Sequence, residues 1–173
     1  EPTQPSAYQN RGVAYERLGD YQRAISDYSK VIELDGSRAS AYFARGNAYG
    51  AIGEFTLQIA DYSKAIELDP TLAAAHFNRG TAYLAASHLE AAIADFTQTI
   101  ALTPQDAQAY LKRGEAHEQM GKQQAAWEDY HAALEYSQEA DLSRLAQRRL
   151  RRLRRRSIWR RLFRRGDSIS SIR

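Results

Sequence analysis

Between residues 5 and 140 the apolar positions fall in short blocks at three- and four-residue spacing, and polar or glycine-bearing turns separate the blocks. In the first stretch Tyr8, Gly12 and Tyr15 mark one face at helical spacing, and Leu18-Gly19-Asp20 ends that helix with a C-cap glycine. Tyr21, Ala24, Ile25, Tyr28, Val31, Ile32 and Leu34 repeat the pattern in a second helix. Two short amphipathic helices cannot bury their apolar faces alone, so each pair must stack on a neighbour. Small residues such as Gly12, Ala14 and Ala24 let the helices approach, and Tyr15, Tyr28, Tyr49 and Tyr62 fill the wider gaps.

The pattern recurs in phase. Arg11-Gly12, Arg45-Gly46, Arg79-Gly80 and Arg113-Gly114 stand 34 residues apart without slippage, which divides the chain into units 5–38, 39–72, 73–106 and 107–140. A period of that length predicts an all-α solenoid of stacked helix-turn-helix repeats. Each unit also carries an Asp 16 residues after its Arg: Asp27, Asp61, Asp95 and Asp129. The four copies predict a structural Arg–Asp pair per repeat, either within the unit or to the following one.

The units resemble the tetratricopeptide repeat family, whose pattern asks for a large residue early in the first helix, then Gly, Tyr, Ala, an aromatic, Ala and finally Pro. The second unit supplies Tyr42, Gly46, Tyr49, Tyr62, Ala65 and Pro70; the third supplies Gly80, Tyr83, Ala92, Phe96 and Pro104. Four positions depart: Gln58 replaces a small residue at a helix approach, Ser87 replaces the turn glycine, and Gly36 and Gln138 stand where Pro would end the unit. The resemblance implies a right-handed α-solenoid with a concave wall built by the first helices. Its exposed groove positions would be Gln9, Val13, Glu16 and Arg17, then Phe43, Asn47 and Ala51, then Phe77, Asn78, Thr81 and Leu84, and finally Leu111, Glu115, Glu118 and Gln119. That wall has an apolar middle, from Phe43 through Phe77 to Leu111, and acidic ends, which suits an extended peptide or a helix with apolar anchors and basic flanks. The clamp by which some family members hold the acidic C-termini of chaperones is not expected, because Phe43 and Gln108 stand where it needs two Lys.

After Ala140 the chain enters a fifth first-helix. Leu142, Leu145, Ala146, Leu150 and Leu153 fall in one stripe, which predicts a capping helix over 141–156 that shields the last repeat, with Asp141 or Ser143 capping its start and its arginines on the solvated side. From 157 to 173 follows a basic amphipathic tail in which Ile158, Trp159, Leu162 and Phe163 lie on a different side from the first stripe. One straight helix cannot bury both stripes against one body.

Charge sharpens that reading. The chain carries a formal net charge of +3, yet residues 1–140 hold 11 Lys and Arg against 19 Asp and Glu, while residues 141–173 hold 13 Arg against 2 Asp. An acidic body with a basic tail points to self-contact or to a charged partner. Arg155, Arg156, Ile158, Trp159, Arg160, Arg161, Leu162 and Phe163 are the expected tail contacts. Association between copies through this helix is the leading expectation; an adaptor held by its tail at an anionic membrane or at nucleic acid is the alternative, the latter disfavoured by the acidic body.

Catalysis has little to work with. The chain has no Cys, His76, His88, His117 and His131 stand in different repeat phases without metal-ligand spacing, and no Gly-rich phosphate loop or Ser–His–Asp partnership is present. His76 and His117 fall where other units have Tyr, which assigns them to packing. A non-catalytic protein-interaction scaffold without cofactor or metal is therefore expected. No apolar run approaches bilayer length and no signal peptide is visible, so the expected location is cytoplasmic.

Overall fold

The computed structural model describes residues 4–166, with side chains as far as Arg155. These residues form α1 (Pro5–Arg17), α2 (Tyr21–Leu34), α3 (Ala39–Ala51), α4 (Phe55–Leu68), α5 (Ala73–Ala85), α6 (Leu89–Leu102), α7 (Ala107–Gln119), α8 (Gln123–Tyr136) and α9 (Ala140–Gly166), with no strand among them. The chain is an all-α solenoid of helical repeats, each repeat a pair of successive helices. It divides into two compact units: residues 1–103, holding α1 to α6, and residues 104–173, holding α7 to α9.

Within each repeat an aromatic ring of the second helix lies on a glycine of the first. A Cβ at Gly12 would stand 2.7 Å from Tyr28, at Gly46 2.9 Å from Tyr62, at Gly80 3.0 Å from Phe96 and at Gly114 2.7 Å from Tyr130. Only a residue without a side chain lets the ring meet the backbone, and all four rings are fully buried. The turn between the two helices needs a left-handed residue, supplied by Gly19, Gly53 and Gly121 at φ 77°, 82° and 74°. In the third repeat Ser87 takes that conformation at φ 60°, so the departure noted in the sequence is absorbed as local strain. Gly36, in the place of a Pro, is absorbed without strain. Asp35 accepts hydrogen bonds from Ser37 N (3.2 Å) and Oγ (2.6 Å), just as Asp69 accepts from Thr71 N (3.0 Å) and Oγ1 (2.7 Å) before the third repeat. These bonds from Ser37, helped by Arg38, pull the Asp35 carboxyl down to about 2.

The Arg–Asp pair forms in every repeat, within the unit. Arg11 Nε and Nη2 reach the two oxygens of Asp27 at 2.8 and 2.7 Å, Arg45 those of Asp61 at 2.8 and 2.8 Å, and Arg79 those of Asp95 at 2.8 and 2.7 Å. Arg113 Nη2 donates to Asp129 at 2.7 Å. The four carboxylates are buried, and the two-pronged geometry meets both oxygens with charged donors. Arg45 and Arg79 each spend a further N–H on the preceding repeat, at Ser29 Oγ and Ser63 Oγ, both 3.0 Å. Arg45 also lies between the rings of Tyr42 and Tyr49, at 5.7 and 5.8 Å from their centroids. In the third and fourth repeats a histidine takes the place of one of these tyrosines and approaches the same carboxylate: His76 Nδ1 lies 3.4 Å from Asp95 and His117 Nδ1 2.9 Å from Asp129.

Asp95→Ala strands a partly buried guanidinium and is expected to cost about 3 kcal/mol of unfolding free energy in urea. Ser87→Gly relieves the left-handed serine and is expected to add about 1 kcal/mol in the same assay.

Candidate functional site

In the unit of residues 104–173, α9 packs on α8, as α3 packs on α2 and α5 on α4. Leu142, Ala146 and Leu153 of α9 join Leu111, Ala126, Tyr130 and Ala133 in one buried cluster, with Leu150 packed against it. Leu145 of the expected stripe points outward and is 39% exposed. Neither Asp141 nor Ser143 caps the helix: Asp141 lies in its first turn, paired with Arg144 at 2.8 Å, and Ser143 N donates to the carbonyl of Glu139, the residue before the helix.

The arginines of α9 do not all face solvent. Arg149 Nη2 donates to Glu115 Oε1 at 2.8 Å, and Arg152 donates to Glu118 Oε1 through Nε at 2.9 Å and Nη2 at 2.5 Å. Arg149 Nη1 also lies 3.5 Å from Glu118 Oε2, the oxygen that accepts the Tyr130 hydroxyl at 2.9 Å. Both principal pairs are 34 residues apart, one repeat, so α9 lies along α7 as a following first helix would. Burial, and then the Glu118 hydrogen bond, pushes the Tyr130 hydroxyl well above its usual range, so it stays a donor. Leu111 and Glu118, expected as open groove positions, are therefore buried, at 5% and 8% exposure. The physical reason is that α9 supplies the apolar anchors and guanidinium groups that these positions call for.

In the unit of residues 1–103 the following first helices, α3 and α5, take the same place on α2 and α4. Phe43 and Phe77 are half-buried, tilted against Tyr62 and Phe96 with centroids 5.8 Å apart in each case. Asn78 Nδ2 donates to Asn47 Oδ1 at 3.0 Å, and the Tyr62 hydroxyl donates to the same oxygen at 2.7 Å, so the two asparagines are joined across α3 and α5. Thr81 turns its hydroxyl back to Phe77 O. Gln9 and Val13 are half-buried on α1, and Glu16, on the same face, accepts the Tyr28 hydroxyl at 2.8 Å. Leu84, expected on the open wall, is buried.

Sequence reasoning missed Arg149, Arg152, Tyr130 and Gly50, and it read Tyr28 and Gln58 only as packing positions. A signal existed for the first two, because Glu115–Arg149 and Glu118–Arg152 are opposite charges one period apart. Arg155 is exposed, while the side chains of Arg156, Ile158, Trp159, Arg160, Arg161, Leu162 and Phe163 lie outside the described residues. Among the described residues no group of His, Cys, Asp and Glu is placed to hold a metal, and no helix is long and apolar enough to cross a membrane.

Family models described as tetratricopeptide repeat or TPR repeat match residues 5–37, 51–87, 83–121 and 107–140. The chain belongs to the tetratricopeptide repeat family. Among solved structures it is similar to MamA, at 29% identity and a TM-score of 0.76 over 79% of this chain and 80% of that one. It is similar also to the TPR domain of Arabidopsis OM64, at 26% identity and 0.61 over 66% and 94%. The first TPR of Spaghetti (RPAP3), bound to the HSP90 peptide SRMEEVD, shares the fold at 23% identity and 0.67 over 70% and 96%. No curated protein matches. A tetratricopeptide chain of this kind is a protein-interaction scaffold.

Glu118→Ala removes the acceptor of the Tyr130 hydroxyl and of the Arg152 guanidinium, while Arg149 keeps Glu115. The expected cost is about 2 kcal/mol, accompanied by faster hydrogen exchange at the amides of α9 while those of α7 and α8 remain protected.

Proposed function

We propose that this protein is a non-catalytic scaffold that holds a helix or extended peptide on its first-helix face, by apolar anchors flanked by arginine, and that its arginine-rich C-terminal helix joins copies to one another. One observation carries the reading: Arg149 and Arg152 of α9 seated on Glu115 and Glu118, with Leu150 and Leu153 beside them. Here a basic, apolar helix stacks on α8 as a following first helix would and pairs its arginines with acids of α7. This supports a face built to recognise that chemistry. On the unit of residues 1–103, Gln9, Val13, Phe43, Asn47, Phe77, Asn78 and Thr81 form the face offered to a partner. In the other unit α9, stacked as a following first helix, buries Leu111 and pairs with Glu115 and Glu118.

Self-association is supported by the continuation of α9 to Gly166, which carries the second apolar stripe of Ile158, Trp159, Leu162 and Phe163 beyond the helical turns that pack on the last repeat. The exposed Arg148, Arg151 and Arg155 of α9 favour a second reading, an adaptor held by its tail at an anionic membrane or nucleic acid.

Sedimentation of the full chain and of a chain ending at Arg156 separates the two. Concentration-dependent dimers or larger species are expected from the full chain and monomers from the shortened one. Two monomers would remove self-association, and binding of a monomeric full chain to phosphatidylserine vesicles would establish the second reading.

A further inference from the structure

We infer that the first unit carries a binding site for an arginine side chain, formed by Glu16, Tyr28 and Gln58 around Gly50, and that the arginine comes from the C-terminal helix of a second copy. The source rests on the self-association proposed above; the site does not.

Glu16 and Glu118 occupy the same place in the first and fourth repeats. Each accepts, on Oε2, the hydroxyl of a buried tyrosine twelve residues on: Tyr28 at 2.8 Å and Tyr130 at 2.9 Å. Burial and the neighbouring glutamate raise both phenols, so both remain donors. The likeness ends at the other oxygen. Glu118 Oε1 holds Arg152, one repeat further along. One repeat beyond Glu16 stands Gly50, which has no side chain to offer, and Glu16 forms no ion pair among the described residues.

The space beside Gly50 is shaped by Gln58. Its repeat position is Ala24, Ala92 and Ala126 in the other three units. A Cβ on Gly50 would clash with the Gln58 amide nitrogen, so Gly50 and Gln58 form a compensating exchange of large for small. That exchange puts a polar amide where the other repeats have methyl groups. The Gln58 Oε1 atom is buried with no hydrogen-bond partner. A second such oxygen, Gln9 Oε1, stands on α1 seven residues before Glu16, on the same helical face.

The local inventory is therefore a carboxylate without a cation and, at Gln58, a buried amide oxygen without a donor; Gln9 lies two helical turns, about 10 Å, away along α1. Leaving such acceptors unmet costs stability, and nothing in the repeat architecture requires it, since the other three units have alanine at the Gln58 position. A guanidinium, which is all donor and planar, supplies what is absent: one edge to Glu16 and a further N–H to the Gln58 oxygen. The chain's own sequence shows the fit, because α9 meets the equivalent Glu–Tyr pair of the fourth repeat with arginine. Residues 148–165 hold eleven arginines, far more than the fourth repeat uses, and the acidic body attracts them.

The test is titration of a fluorescent synthetic peptide with the sequence of residues 148–165 into dilute full chain, alongside sedimentation of the same samples. Glu16→Gln is expected to weaken the peptide about tenfold, which is the loss typical of one charge-assisted contact. A peptide with citrulline for arginine is expected to be weaker with the unsubstituted chain and to show no further loss with Glu16→Gln. Gln58→Met removes an unpartnered oxygen without opening a void. It is expected to raise Tm by roughly 2–4 °C while weakening the peptide severalfold, a combination that a purely structural role for Gln58 does not produce. Equal peptide affinity with and without Glu16 overturns the site, even where shortening the tail abolishes assembly and self-association stands. Glu16-dependent peptide binding together with assembly indifferent to Glu16→Gln overturns the assignment to a second copy.

Discussion

A carboxylate withdrawn from water must meet a cation or a set of donors, and the chain is organised around that requirement. Each repeat sinks an aspartate into the seam between its two helices, where a methyl or a second aromatic ring would cost nothing to bury. The arginine at the middle of the preceding helix then has to be there, with both prongs engaged, and its rotamer fixes how the two helices lie against each other. The tyrosines beside the guanidinium, and the histidines that replace one of them in the third and fourth repeats, help to orient it. Because Arg45 and Arg79 also reach a serine of the repeat before, the same group that closes one hairpin ties it to its neighbour. Repeats that cannot bury their apolar faces alone gain register from a polar contact.

The same rule explains the C-terminal helix. The fourth repeat places Glu115 and Glu118 on its first-helix face beside a buried tyrosine, and α9 answers with two arginines spaced to match while its leucines cover Leu111 and Tyr130. Neither half suffices by itself. Leucines alone would bury Glu118 uncompensated, and arginines alone would leave the cluster wet. The division of the chain into an acidic body and a basic tail is thus partly internal neutralisation, with a large surplus of arginine left over. Glu16 is the one equivalent carboxylate for which the described residues supply no cation, and it stands where Gly50 and Gln58 depart from the repeat pattern.

Much of this was legible in the residues. The 34-residue period, the helix pairs, the turn glycines and the Arg–Asp pairing follow from spacing alone, since a repeated unit must solve the same packing problem each time. The stripe of Leu142, Ala146 and Leu153 was equally plain. What spacing could not show is which side of an arginine-rich helix meets protein, because a long aliphatic stem with a charged end suits solvent and a buried acid alike. Arg149 and Arg152 were therefore assigned to the solvated side, and Leu111 and Glu118 to an open wall. Leu84 and Leu145 were misplaced for a related reason: a periodic pattern gives a helix face but not its edges. The exchange between Gly50 and Gln58 was half visible, as a large residue in a small residue's place, but its compensation lies on another helix and emerges only in three dimensions.

The most direct measurement of this account is the coupling free energy between Glu118 and Arg152 from a double-mutant cycle of unfolding with Glu118→Gln, Arg152→Gln and the pair. If buried acids on the first-helix face are what seat the arginine helix, the coupling is at least about 1 kcal/mol. A coupling near zero, with the helix still protected from hydrogen exchange in the double variant, would mean that leucines alone hold it and would contradict the account.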